Sequence, residues 1–287
     1  MNGLVAAIYS SFFLALGQAA LKKSYKELEP SVAFLFEMLF GLFLWIPLCL
    51  FFGVNFQNIG QVLIYAVISA ILSEALYFYA LSKGQLSITA ILIGSYPIYT
   101  IIFSFLINGE RLLPLQIVFI FITILGTLLT YLPSKFSLKE LRQSGAIAWP
   151  IIAAIGIGLS DTLSKGAINR TGDFSFLFTV SLMQIPVSII YLKLEKQKLI
   201  KTLIKITREK AAYRNAIIGS LFSTIGTGLL WISFSKTLAS IASPITATSG
   251  AIVMLLAVIF LDEKINLRSV TGLLLVFLGI IGISGQV

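Results

Sequence analysis

The chain has 287 residues, of which 57% are hydrophobic and 11% charged, with a net charge of +9 and a mean hydropathy of +0.97. A soluble domain carries about twice that share of charge, which excludes an ordinary globular enzyme, a disordered chain and a disulfide scaffold. Histidine is absent, removing the commonest general base and the commonest metal ligand together, so no cofactor and no metal are expected. The single cysteine, Cys49, lies in an apolar run and can close no disulfide within the chain.

A membrane-crossing helix needs about 20 mostly apolar residues. Ten windows meet that need: Leu4–Leu21, Val32–Phe52, Gln61–Leu81, Ile88–Ile107, Leu115–Leu132, Ile147–Ile168, Phe174–Leu192, Asn215–Phe234, Ile241–Leu261 and Val270–Ser284. The first is no cleavable signal, because it lacks a basic leader and a small-residue exit and is followed by Lys22-Lys23. Short connections such as Gly53–Gly60 and Asn108–Pro114 make consecutive helices antiparallel neighbours. The expected fold class is an all-α integral membrane protein with ten transmembrane helices, placed multi-pass in the cell membrane among lipids.

The halves repeat. An offset of 153 pairs Lys83 with Lys236, Glu110 with Glu263 and Gly126 with Gly279. Ser82, Ser87 and Ile88 match Ser235, Ser240 and Ile241 in the same register. Earlier in each half the offset is 143, pairing Gln18 with Asp161 and Lys22 with Lys165. The difference falls between the second and third helix of each half, a connection that is short at Gly53–Gly60 and long at Lys193–Arg214. Two modules of five helices, 1–145 and 146–287, follow. An odd number per module means opposite orientations in the bilayer, the inverted repeat from which alternating-access carriers are built.

The run Leu76-Tyr77-Phe78-Tyr79-Ala80-Leu81, then Ser87, Ala90, Pro97-Ile98 and Gly109-Glu110-Arg111-Leu112, resembles the EamA module of the drug/metabolite transporter superfamily. The second half repeats it more loosely through Ser243-Pro244 and Asp262-Glu263-Lys264. The resemblance implies a carrier of small metabolites whose pore is lined by the first, third and fourth helices of each half. Relatives often carry Arg early in the second helix, where this chain has Glu37, so a different preference for substrate charge is expected.

Orientation follows from the cations. The odd-numbered connections hold 17 Lys and Arg and the even-numbered ones 4. The positive-inside rule then puts the odd connections in the cytoplasm and both termini outside, whereas the family resemblance implies cytoplasmic termini. Within Lys193–Arg214, Leu199, Ile200, Leu203, Ile204 and Ile206 fall near helical spacing among six basic residues. That pattern reads as a basic amphipathic helix lying on an anionic leaflet, and not as a nucleic-acid site.

An ionisable side chain at mid-bilayer costs at least about 2.5 kcal/mol on insertion scales, so it faces a cavity or a partner. Glu74 sits deep in the third span, with Tyr77 and Phe78 on its helical face, and suits a proton carrier or a counter-charge for a cationic substrate. Asp161 lies four residues before Lys165, a spacing that permits an internal ion pair. Its repeat mate Gln18 stands four before Lys22. An acid and an amide across a pseudo-axis suit a polar, amine-bearing solute such as an amino acid, whose carboxylate would need Lys22, Lys165 or a helix N-terminus. Glu37 lies nearer a membrane face, where it could snorkel or pair with Lys22 or Lys26.

Ser95, Tyr96 and Pro97 are expected to interrupt the fourth helix, and their mates are Thr248, Ser249 and Gly250, with Thr246 nearby. Tyr77, Tyr79 and Trp231 could stack on a ring or an ammonium, or simply pack. Gln184 reads as an interhelical hydrogen bond. Gly126, Gly272, Gly279 and Gly282 read as close-packing surfaces, and Glu110-Arg111 and Glu263-Lys264 as pairs that end helices at the membrane face.

No phosphate-binding GxxxxGK[ST] loop is present, which argues against direct ATP use, and no nucleophile–base arrangement supports an enzyme. The leading reading is a secondary carrier of a small polar metabolite, driven by protons or by the solute gradient. Export of lipophilic cationic drugs and flipping of a lipid-linked head group are the alternatives, and the sequence leaves monomer and homodimer open. A reporter that works only outside the cytoplasm, fused after Val287, should be active; a silent fusion would reverse the orientation.

Overall fold

The computed structural model describes residues 2–25, 28–56, 59–83, 92–131, 144–208, 210–261 and 267–286, and all regular structure among them is helical. α1 (Gly3–Ser24) starts where the Asn2 side chain accepts the Leu4 N–H at 3.1 Å, satisfying one of the donors that every helix start leaves orphaned. α2 (Pro30–Phe52) opens on a proline, whose missing N–H is no loss there. Glu195, far along the chain, accepts the Ser31 N–H at 3.0 Å.

The remaining elements are α3 (Ile59–Ser82), α4 (Leu92–Asn108), α5 (Pro114–Tyr131), α6 (Ser144–Thr171) and α7 (Asp173–Leu194). The short helix α8 (Leu199–Arg208) leads to α9 (Lys210–Phe234). α10 comes in two pieces, Ala239–Ala247 and Ser249–Leu261, and α11 is Leu267–Ser284.

Among the described residues, seven helices are long and apolar enough to cross a membrane: α1, α2, α3, α6, α7, α9 and α11. The windows expected at Ile88–Ile107, Leu115–Leu132 and Ile241–Leu261 fall on three shorter apolar helices. The beginning of the fourth window lies outside the described residues, and a break at Thr248 divides the ninth. The connector is also shorter than expected, because α7 runs to Leu194 and α9 starts at Lys210. The helix expected within it is present as α8, with Ile200, Leu203 and Ile204 exposed beside Lys201 and Lys205.

Polarity is reversed relative to a soluble fold. Large apolar side chains such as Phe43, Phe51, Phe121 and Ile281 are exposed, while Glu37, Glu74, Asp161 and many Ser and Thr side chains are buried. That distribution suits a hydrocarbon solvent.

The main contacts map onto one another when the halves are exchanged. α1 packs on α9 and α10, and α6 packs on α3 and α4; α2 lies on α9, and α7 on α3. α2 meets α7, α4 meets α10 and α5 meets α11. The tightest approaches run through glycine. A Cβ on Gly126 of α5 would stand 2.7 Å from the Gly272 carbonyl oxygen of α11, and one on Gly279 would strike Thr123, so the expected packing role of these glycines is met. Gly17 and Gly219, which the sequence did not single out, do the same between α1 and α9, where added Cβ atoms would lie 2.9 Å from Ser223 N and 2.8 Å from Leu21 N.

Gly126→Ala should therefore destabilise the protein by about 1–3 kcal/mol through overpacking. Gly60→Ala, where a Cβ meets nothing within 4 Å, should leave the midpoint unchanged or raise it slightly. Thermal unfolding in detergent compares the two.

Candidate functional site

Two helix breaks set the geometry. The chain turns at Ser95 (φ −79°, ψ −4°) in α4 and at Thr248 (φ −66°, ψ −4°) in α10, positions that are repeat mates. At both, the hydroxyl donates to the carbonyl three residues back, Leu92 and Ile245, at 2.6 Å. At both, the carbonyl accepts an N–H three residues on, from Ile98 at 3.0 Å and from Ala251 at 2.9 Å. Equivalent side chains thus close equivalent turns, and the expected interruption is found in each half.

Asp161 of α6 faces the first half of α10. Its Oδ2 accepts from the Ser243 hydroxyl at 2.6 Å and from Thr100 of α4 at 3.4 Å. Its Oδ1 is buried without a partner. Tyr96 donates its hydroxyl to the Ser243 carbonyl at 3.0 Å, and Thr246, one turn along α10, has a buried hydroxyl with no partner. The mate Gln18 of α1 donates to Ser249 at 3.4 Å, and the hydroxyls of Ser11 and Thr248 are 2.9 Å apart. The structure therefore gathers Gln18, Tyr96, Asp161, Thr248 and Ser249 onto α1, α4, α6 and α10, with Ser95 at the neighbouring turn.

Lys165 corrects one expectation. It makes no ion pair with Asp161: its ammonium donates to the Phe234 carbonyl of α9. The four-residue spacing allowed the pair, but Ser243 and Thr100 reach Asp161 from other helices. The Lys22 side chain lies outside the described residues. Trp231 packs as the expectation allowed, buried in the apolar core edge-on to Phe176, with centroids 5.5 Å apart. Tyr77 packs edge-on to Phe78 at 5.8 Å and Tyr79 to Trp149 at 4.9 Å.

The other two acids form a second group. Glu74 Oε2 accepts from Gln184 Nε2 of α7 at 2.6 Å, so Gln184 does make the expected interhelical bond, and makes it to a candidate acid. Glu37 does not snorkel. It is 1% exposed and accepts from Ser223 of α9 at 3.2 Å, because α2 turns this face toward α9 and not toward lipid.

Glu110 gives a further correction. Expected to pair with Arg111 at the membrane face, it is buried and caps α10 instead, accepting the N–H groups of Ala239 and Ser240 at 3.0 and 2.9 Å and the Ser240 hydroxyl at 2.6 Å. Its mate Glu263, with Asp262 and Lys264, lies outside the described residues, as do Ser87 and Ala90. The sequence reading missed Thr100, Ser223, Ser243 and this cap. The available signal was the density of hydroxyls at helical spacing in α10: Ser240, Ser243, Thr246, Thr248 and Ser249.

Long apolar helices with their acids turned inward define a multi-pass membrane protein. Residues 1–132 and 144–285 each match the EamA-like transporter family, part of the drug/metabolite transporter superfamily. The chain belongs to that family, and is a membrane transporter by that membership. It is 20% identical over 229 residues to an uncharacterized transporter of Clostridium kluyveri, covering 78% of this chain and 71% of that one. A stretch of 69 residues is 36% identical to an uncharacterized protein of Methanocaldococcus jannaschii, 24% of this chain and 50% of that one. One crystal structure superposes with a TM-score of 0.67 over 98% of both chains at 14% identity, a likeness of fold.

Removing the Glu110 carboxylate leaves two buried N–H groups at the α10 start without an acceptor, at about 1–3 kcal/mol for such groups. Glu110→Ala should lower the thermal midpoint accordingly, with Ser240→Ala milder because both N–H bonds survive.

Proposed function

We propose that the chain is a secondary carrier of a small polar metabolite bearing an amine, such as an amino acid, working by alternating access. In this reading the modules 1–145 and 146–287 are inverted five-helix repeats, and α4, α5 and α10 complete ten spans of the cell membrane. The observation that carries it is Asp161, buried, with one oxygen unpartnered, beside paired helix breaks in α4 and α10. A substrate ammonium would take that oxygen. Its carboxylate would take the N-terminal turn of the second α10 piece, where Ser249, Thr248 and Gln18 meet, a helix start that favours negative charge. Lys165, engaged by Phe234, is the weaker choice for that task. Exchange of the two breaks under the repeat supplies two near-equivalent states, and Glu74 is the group on which an ion gradient would act.

Proteoliposomes loaded with mixed metabolites should show counterflow of one amine-bearing solute. Losing a charged hydrogen-bond acceptor is worth about 1.5–3 kcal/mol, so Asp161→Asn should cut that exchange by roughly tenfold or more. Glu74→Gln should abolish uphill accumulation while exchange persists. Uptake of lipophilic cations without exchange of any metabolite would favour the drug-export reading.

A further inference from the structure

Glu37 and Glu74 stand apart from the groups at the helix breaks. They come from α2 and α3, are 1% and 3% exposed, and sit where α2, the Ala70–Ala75 stretch of α3 and α7 pack against one another. Each has one oxygen satisfied, Glu37 Oε1 by Ser223 at 3.2 Å and Glu74 Oε2 by Gln184 at 2.6 Å. Glu37 Oε2 and Glu74 Oε1 have no partner, and neither has Gln184 Oε1, although Gln184 is only 4% exposed and its amide nitrogen is anchored on Glu74. Ser188, one turn along α7, carries another buried hydroxyl without a partner. Among the described residues no Lys or Arg donates to either carboxyl.

The backbone is irregular at the same place. Glu74 lies inside a π-helical turn, Ala70–Ala75, and a second one, Gly41–Trp45, begins four residues after Glu37. Single π turns are frequent at functional sites. Gly41 also leaves room for the amide, since a Cβ there would stand 2.6 Å from Gln184 Oε1.

We propose that Glu37, Glu74 and Gln184 bind the coupling cation of this carrier, a sodium ion, at a site separate from the metabolite groups around Asp161 and Gln18. A proton shared by the carboxyls would join two of the unpartnered oxygens and leave Gln184 Oε1 without a donor. A hard cation takes several oxygens at once, carboxylate and amide alike, so an ion held between α2, α3 and α7 would satisfy all three, with the unpartnered Ser188 hydroxyl one turn along as a further candidate ligand. The ion also brings positive charge to two buried acids that no described Lys or Arg pairs. The coupling role rests on the carrier reading above; the binding itself does not.

The full chain in detergent is tested by thermal unfolding in NaCl, KCl, CaCl2 and choline chloride at equal ionic strength and at several pH values. NaCl should raise the midpoint by about 2–4 °C over choline, with the rise lost in Glu37→Gln and in Glu74→Gln and kept in Asp173→Asn. A midpoint that ignores sodium, follows pH alone, or rises with calcium only overturns the assignment, as does a full sodium response in both Glu variants. If either variant fails to fold, Gln184→Leu substitutes for it and should weaken the sodium response at least severalfold in half-saturating concentration. Counterflow without a sodium response sinks this site and spares the carrier; a sodium response without flux of any solute does the reverse.

Discussion

Hydrocarbon supplies no hydrogen bonds, and most buried hydroxyls among the described residues are arranged around that fact. Thr123, Thr127, Thr171, Thr179 and Thr224 all return their hydroxyls to carbonyls four residues back on their own helix. The same local bond, shortened to three residues at Ser95 and Thr248, is what allows a helix to turn inside the fold without an unsatisfied hydroxyl. Breaks of this kind are tolerated at membrane depth only where protein surrounds them, and α4 and α10 pack on each other and on the first helices of the opposite halves.

Because lipid tails are as apolar as leucine, helices here are not driven together by excluding water. Close backbone approach takes that role. Gly126 against Gly272 and Gly17 against Gly219 bring backbones together that any Cβ would separate. These two seams, α5–α11 and α1–α9, leave the middle of the fold to side chains that carry charge. Acids there are held by hydroxyls and amides from other helices, never by their own helix neighbours. Ser243 holds Asp161, Ser223 holds Glu37 and Gln184 holds Glu74.

The acids divide by element. Asp161 belongs with the breaks, because its partners Thr100 and Ser243 lie on α4 and α10, counterpart helices that contact each other. Glu37 and Glu74 belong with α2 and α3, whose π turns widen those helices locally, and with α7, which packs on both. A carrier needs a solute site that both halves share and, for uphill work, an ion site that changes with it; the two groups supply one candidate for each. Glu110 ties the segment just after α4 to the start of α10 through three hydrogen bonds, a direct link between the two halves.

The sequence by itself determined that this chain lives in a bilayer, that it repeats, that the repeat is of the EamA kind, and where the fourth helices break. Those features are written in composition, window length and constant offsets, which local chemistry enforces. It also marked the buried acids, because a carboxyl in an apolar window has few innocent explanations. What it could not give was the partner of each acid. The i to i+4 rule proposed Lys165 for Asp161, yet the bond goes to Ser243, 82 residues away, and Glu110 reaches Ser240, 130 residues away. For Trp231 the sequence left stacking on a ligand and simple packing both open, and the packing of α7 puts Phe176 against it. Which hydroxyl meets which carboxyl depends on how the described helices cross, a matter of glycine seams and side-chain volume that no single helix contains.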